Sequence, residues 1–460
     1  MTGIDADRLQ TCLQVLAEVE ALPDDHPHAV AVRRATAGIY KAVRKQRKAA
    51  KRAAVLAADQ AVIAATATGS PKRIDDETRG IPLVSNAPGA VAGTLIKAGA
   101  CYVCKQRYTV VDAFYHQLCP ACATVNRAKR DAGTDLTGRT ALLTGGRAKI
   151  GMYIALRLLR DGARTTITTR FPTDAVRRFA AEPDSAEWLH RLRVVGIDLR
   201  DPGQVVALAD LMADEPLDIL INNAAQTVRR SPAAYAPLIA AESAPLPSGP
   251  LPEIVALGRA DRAHPVAITG MVAPAEVTAK ALTAGTEDGI DAGGLVPDPD
   301  PVNSWTHRVH EVDPVELLEV QLCNQTAPFI LVSRLRPAMK RSTARRKYVV
   351  NVSAMEGVFA RGYKGAGHPH TNMAKAALNM LTRTSADDLY RDGILMTSVD
   401  TGWITDERPQ PTKERLADAG FHAPLDLVDG AARVYDPIVR GEAGEDLYGV
   451  FLKDYQPAAW

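Results

Sequence analysis

The stretch whose reading decides the fold is residues 139–170, RTALLTGGRAKIGMYIALRLLRDGARTTITTR. It opens on an apolar run, passes through a glycine-bearing turn and continues as IGMYIALRLLRDGA, where apolar residues recur at spacings of three and four. It closes on a second run rich in β-branched residues. Strand, turn, helix and strand follow from those periods. The alternation then continues through RLRVVGID (191–198), LDILINNAA (217–225), KYVVNVSA (347–354), GILMTSVD (393–400) and EDLYGVFLKDY (445–455). Strands separated by helix-length segments imply an α/β fold with a Rossmann-like, doubly wound parallel sheet over 134–460.

One interval breaks the pattern. From about 226 to 312 the chain is rich in proline, alanine and glycine, with APLPSGPLPE (244–253) and GTEDGIDAGGLVPDPDP (285–301). It follows the fourth strand, at the carboxyl edge of the sheet where ligands bind. A disordered insertion and a lid or partner-binding segment are both open readings.

Working toward the N-terminus, residues 99–133 contain CYVCKQRYTVVDAFYHQLCPAC (101–122). Cys101 and Cys104 form one C-x2-C pair, Cys119 and Cys122 another. Two such pairs across a hairpin-sized gap can present four thiolates to one Zn²⁺. Four cysteines fill the shell, so the expected zinc is structural and His116 is a bystander. Cys12 and Cys323 are expected in cores. Residues 71–98 read as a linker and 1–70 as a helical, basic region. RLQTCLQVLAEVEAL (8–22) has helical periodicity, and the next helix carries Arg33, Arg34, Lys41, Arg44, Lys45, Arg47, Lys48, Lys51 and Arg52. That run is either a solvated face or a contact to nucleic-acid phosphates.

At 460 residues, two or three domains are expected. The net charge of +2 leaves any polyanion preference to a local patch. No apolar run approaches the length of a membrane span. The N-terminus MTGIDADRLQ has acids and no apolar core, so it does not read as a signal peptide. A cytoplasmic chain with reduced thiols is the expectation.

TGGRAKIG (144–151), NNAA (222–225), an asparagine in LLEVQLCNQTAPF (317–329), NVSA (351–354) and the lysine of HPHTNMAKAALNMLTR (368–383) occur in an order and spacing that resembles the short-chain dehydrogenase/reductase family. The resemblance spans about 138–455. It implies an NAD(P)-dependent oxidoreductase acting on a small molecule, commonly self-associated as dimers or tetramers. Thr144, Gly145 and Gly151 match the family's nucleotide turn, which also holds Arg147, Lys149 and Ile150. Lys149 stands where the family has its middle glycine. Arg170 ends the second strand, where an acid would suit NAD and a base suits the 2′-phosphate of NADP, so NADP is favoured over NAD. Asp198 and Leu199 match the pair flanking adenine. Asn223, Ala224 and Ala225 match the segment along the cofactor. Gly402, Trp403 and Ile404 match the loop on the nicotinamide side.

The same resemblance assigns Asn324 to the proton-relay water and Lys375 to the nicotinamide ribose. The catalytic serine place is Ala354, with Ser353 one residue earlier, and the tyrosine place is Thr371. A threonine hydroxyl does not titrate near neutrality, so it is no ordinary general acid. His368, seven residues before Lys375, and His370 are alternative proton donors, because imidazole does titrate there. Tyr363 and Glu356 are further candidates. Two readings follow: an oxidoreductase with a replaced proton donor, or a dinucleotide-binding pseudoenzyme that uses its zinc module and insertion to contact partners.

Overall fold

The computed structural model describes residues 3–73, 89–257, 291 and 293–460. Part of the expected linker and the middle of the proline-rich interval lie outside the described residues.

Two helices open the chain, α1 (Ala6–Glu20) and α2 (Pro27–Ala64). Asp5 caps α1 by accepting from the amides of Asp7 and Arg8, both at 3.1 Å. Only Val19 of α1 is buried, so Cys12, expected in a core, is exposed. The cations of α2 are all exposed. At about 100° per residue, the nine fall within an arc of about 160°. Val32, Ala35, Ile39, Ala42 and Ala53 occupy the opposite side.

The cysteine module is an antiparallel pair, β1 (Val91–Ala100) and β2 (Arg107–Asp112), followed by α3 (Pro120–Arg130). Its first strand therefore begins inside the stretch read as linker. Small residues and a single buried side chain, Leu95, hid its period. The C-terminal turns of α2 pack on β1 through Val62, and Asp59 accepts from the amides of Ile96 (2.6 Å) and Lys97 (3.2 Å).

The large domain follows in chain order. It runs β3 (Thr140–Leu143), α4 (Lys149–Arg160), β4 (Arg164–Thr169), α5 (Pro172–Ala180), α6 (Ser185–Trp188), β5 (Leu192–Gly196), α7 (Pro202–Ala213), β6 (Ile219–Asn222), α8 (Ala236–Glu242) and β7 (Glu253–Ala256). It continues with α9 (Pro314–Gln321), α10 (Ala327–Arg341), β8 (Lys347–Ser353), α11 (Pro369–Tyr390), β9 (Ile394–Asp400), α12 (Gln410–Asp418), α13 (Leu427–Glu442), β10 (Phe451–Lys453) and β11 (Gln456–Ala458).

Among the described residues, nine strands order as β11-β10-β9-β8-β6-β3-β4-β5-β7, parallel except for the β10–β11 hairpin. Each of the seven expected strands is present. Two were not foreseen: β7, which extends the sheet beyond β5, and the short edge strand β11. Every residue of β8 and β9 is buried, as helices on both faces require. One core packs α4, α5 and α13 against one face; the other packs α7, α10 and the end of α11 against the opposite face. Strand order reverses between β3 and β6, so their carboxyl ends open a crevice at the switch point. Beneath it a polar chain crosses the buried sheet. Asn222 donates to Asn351 (2.8 Å), Asn351 donates to Thr382 (2.9 Å), and Thr382 bonds Ser398 (2.7 Å).

Candidate cofactor and active site

The turn between β3 and α4 is built for close approach. Gly145 has φ +71°, and a Cβ there would lie 2.9 Å from Ala224 Cα. A Cβ on Gly151 would lie 1.9 Å from the Gly145 carbonyl oxygen. Neither place admits a side chain, which leaves backbone facing the crevice at a helix N-terminus. Asn223 Nδ2 donates to the carbonyls of Thr144 (3.2 Å) and Gly145 (3.0 Å), and Thr144 Oγ1 accepts from the amides of Asn223 (3.0 Å) and Ala224 (3.1 Å). Asn223 and Ala224 thus hold the turn to β6. Lys149 keeps the glycine-like backbone, φ 52°. Ile150 points away, packing toward Ile404 and the cysteine module.

The end of the crevice beside β4 is cationic. Arg170 lies over Tyr235 (5.0 Å to the ring centroid) and Phe171 (5.6 Å), and donates to the Tyr235 hydroxyl at 3.3 Å. Arg147 lies 5.5 Å from the Phe171 centroid and pairs with Asp174. Arg178 also pairs with Asp174, at 2.7 Å. Nearby Glu242 is spent on the amides of Thr173 (3.1 Å) and Asp174 (2.8 Å). Asp198 is taken by Arg200 at 2.7 Å, which reaches on to Glu319 at 3.0 Å; Leu199 joins the core of that face. Three guanidiniums therefore converge where the sequence offered Arg147 and Arg170. Arg178, a turn into α5, carried no motif to reveal it. The far end of the proline-rich interval arrives here too: Gly293 O accepts from Arg147 (2.6 Å), and Asp291 stands 3.6 Å from the Lys149 amine.

At the other end of the crevice, Asn324 lies in a π-helical turn, Leu322–Thr326, between α9 and α10. Its side chain exchanges two hydrogen bonds with the Gln226 backbone, 2.7 and 3.0 Å. Lys375 Nζ donates to the Val352 carbonyl at 2.8 Å. Burial pushes its pKa down to about 8, against the opposing pull of Cys323 and Glu356. Ser353 is buried, and its hydroxyl has no partner among the described residues.

Thr371 is buried and its hydroxyl donates to the His368 carbonyl (3.0 Å), a bond within its own first helical turn. The two histidines part ways. His370 is buried beside Glu316, 3.4 Å away, on the side of α9. His368 caps α11 in the left-handed region, φ 41°. Its ring stacks on Trp305 (centroids 3.8 Å, 11°), and Nδ1 lies 2.9 Å from the Trp305 carbonyl. A carbonyl only accepts, so Nδ1 carries the proton and Nε2 is the acceptor in the neutral ring. Nε2 makes no hydrogen bond to the described residues. Burial lowers the ring's pKa, and the Trp305 carbonyl partly restores it. Tyr363 is 79% exposed, and Glu356 pairs with Arg361 at 3.2 Å. Trp305 sits in the irregular interval, where no period marked it.

The four cysteine sulfurs lie within 4.8 Å of one another, with Cys104 and Cys119 at 3.7 Å. A tetrahedron of thiolates about 2.3 Å from Zn²⁺ has edges of about 3.8 Å, so the donor set fits that ion. The Gln106 amide lowers Cys104 to about 7, favouring its thiolate. His116 stays apart: its Nδ1 meets Thr68 Oγ1 at 2.8 Å, and full burial pushes its pKa down to about 3.

The module is joined to the large domain by buried charge. Arg130 donates to Asp426 at 2.6 and 2.9 Å and faces Asp429 at 3.2 Å. Tyr115 donates to Asp429 at 2.6 Å, and Arg433 donates to Asn126 at 2.8 Å. The module also touches the loop after β9: the Trp403 amide donates to Tyr102 Oη at 2.8 Å.

A sheet reversing at β3/β6, a glycine turn with no room for side chains and a lysine opening onto the end of β8 define a doubly wound α/β protein with a crevice at its switch point. The chain belongs to the short-chain dehydrogenase family. The family model described as short chain dehydrogenase matches residues 139–237 and 292–416, leaving 238–291 as the unmatched insertion, narrower than the composition suggested. An uncharacterized protein of Acanthamoeba polyphaga mimivirus is 32% identical over 355 residues, covering 74% of this chain and 71% of that protein. A probable oxidoreductase of Streptomyces antibioticus is 38% identical over 90 residues, 20% of this chain and 30% of that protein. Among solved structures, the Pseudomonas aeruginosa RhlG/NADP active-site complex is 20% identical, with a TM-score of 0.43, over 69% of this chain and 95% of that one. No described helix is long and apolar enough to cross a membrane.

Proposed function

We propose that this chain is an NADP-dependent oxidoreductase acting on a carbonyl, alcohol or enoyl substrate, with His368 handling the proton where relatives of its family use tyrosine, and with a structural zinc on Cys101, Cys104, Cys119 and Cys122. The observation that carries this reading is the His368 imidazole. Stacking on Trp305 and the Nδ1 bond fix one tautomer, and Nε2 is left as the acceptor. Burial keeps the ring neutral, so it begins as a base. In the oxidative direction it takes the hydroxyl proton of the substrate; in reverse the imidazolium returns it. Lys375 holds the ribose side and Asn324 an ordering contact at the same end. Arg147, Arg170 and Arg178 take the 2′-phosphate. Bound NADP supplies or accepts the hydride.

The test is kinetic. His368→Asn keeps a residue tolerant of the left-handed backbone. It should lower turnover about 10²–10⁴-fold, the usual worth of a general acid–base, while the NADPH Kd stays unchanged. His370→Asn should spare turnover, because His370 faces Glu316. If NADPH binds yet no member of a carbonyl and alcohol library changes its oxidation state, the pseudoenzyme reading favoured by Ala354 and Thr371 replaces this one. The one-sided cation arc of α2 supports a second role, docking on nucleic-acid phosphates.

A further inference from the structure

The residue that joins the metal module to the crevice is Tyr102, which stands inside the first cysteine pair. Its own amide donates to the Gln117 carbonyl at 2.7 Å, across the hairpin. Its Oη accepts from the Trp403 amide and would lie 3.6 Å from a Cβ on Gly402, a residue held at φ +74°. The loop after β9 therefore runs in contact with this one phenol. The same loop is tied at two other points. The Trp403 carbonyl accepts from the Leu425 amide at 3.3 Å, and Ile404 packs with Leu425, Leu427 and Cys101. A Cβ on Gly430 would lie 2.7 Å from Ile404 Cδ1 and 3.2 Å from Ile150 Cδ1, so Ile404 also abuts the helix that begins at the nucleotide turn.

We propose that Tyr102 is a positioning residue for the nicotinamide half of the cofactor, and that metal loading of the four-cysteine module and cofactor binding are thereby coupled. The inference rests on the assignment of Gly402–Ile404 to the cofactor. The knuckle from Cys101 to Cys104 is a tight turn, with Lys105 at φ 63° just beyond it and Cys104 exposed. A metal ion on the thiolates fixes that turn, and with it the place of the Tyr102 ring. Cys101, Tyr102 and Val103 pack on the module's apolar cluster, so it is the exposed Cys104 end of the turn that depends on the ion for its shape. By linkage, a cofactor that needs the ordered loop must in turn tighten the module's hold on its metal.

Tyr102→Phe removes one oxygen and leaves the ring. In this variant the metal content should remain that of the wild type. The NADPH Kd should rise about two- to tenfold, the effect of losing one ordinary hydrogen bond of about 0.5–1.5 kcal/mol that holds the loop. Binding of 2′,5′-ADP, which has no nicotinamide, should change less than about twofold, because the adenosine site lies on Arg147, Arg170 and Arg178. In the wild type, NADPH should slow the transfer of metal to a chromogenic chelator, and in Tyr102→Phe that protection should vanish. Equal losses for NADPH and 2′,5′-ADP, an unchanged NADPH Kd, or metal release indifferent to NADPH would each overturn the coupling. A wild-type chain that binds neither NADPH nor NADH would instead remove the cofactor assignment beneath it.

Discussion

If NADP is the cofactor, replacing Arg170 with methionine should lower the ratio of NADPH to NADH affinity. The guanidinium lies against Phe171 and Tyr235, and its one hydrogen bond among the described residues is to the Tyr235 hydroxyl. Asp198 acts on its charge without a hydrogen bond to it, so the guanidinium keeps donors for a phosphate. A bond between that charge and a phosphate is worth about 1.5–3 kcal/mol. Arg147 and Arg178 remain within the same cluster, so the lower part of that range applies. About 1.5–2 kcal/mol corresponds to an NADPH Kd about 10–30-fold higher. NADH lacks the phosphate and should change less than about threefold. Methionine keeps an apolar stem between the two rings, which limits the packing loss. Fluorescence titration of both cofactors at fixed ionic strength reads the ratio. A parallel loss for both would mean that Arg170 holds the fold rather than the phosphate; no loss for either would refute the site.

Three further outcomes follow from burial and charge. Lys375→Met should abolish tight cofactor binding yet stabilise the cofactor-free protein. The lysine's folded pKa of about 8 lies below its ordinary 10.5, so folding disfavours its charged form. That cost is present below pH 8 and fades between pH 8 and 10.5. Discounting the lost bond to Val352, the variant should gain about 1–2 kcal/mol at pH 7, a difference that closes by pH 10.5 in denaturant titrations. A less stable variant at pH 7 would contradict this account. For His116, with a folded pKa of about 3, the folded state binds fewer protons than the unfolded state between pH 3 and 6.5, so stability falls as pH drops through that window. His116→Gln should flatten the pH dependence of Tm there by removing that titration; an identical slope would count against it. Deleting residues 1–54 should leave metal content and NADPH affinity intact and abolish duplex-DNA binding. In the full chain that binding should weaken about 10²–10³-fold between about 50 and 200 mM salt, as several phosphate contacts require. Salt-insensitive binding, or binding that survives the deletion, would exclude α2 as the site.

The strands from β3 to β10, β7 apart, were legible because their apolar runs alternate with helical periods and their boundaries carry glycines. The strand β7 was not: EIVA sits among prolines, and only pairing with β5 makes it a strand. The glycine turn between β3 and α4 was legible for a physical reason as well. Only glycine fits at 145 and 151, so those identities are forced by sterics. Lys149 shows the limit, since a lysine keeps the left-handed backbone that the pattern reserves for glycine. The division between His368 and His370 could not be read. Two residues apart at a helix start, they face different neighbours, Trp305 and Glu316, both distant in sequence. The role of Tyr102 could not be read either, because nothing local announces a partner 301 residues later.

The buried ion group that joins Arg130 to Asp426 and Asp429 also sets a schedule. The partners lie 296 residues apart in the chain. At about 5–20 residues per second, ribosomal synthesis separates their appearance by on the order of 15–60 s. During that interval the module has left the ribosome with a guanidinium whose carboxylates do not yet exist. Its four cysteines span only residues 101–122 and can close on an ion at once. A metal ion bound there would act as a temporary staple for the nascent chain, holding the module in shape until the helix from Leu427 arrives to neutralise Arg130.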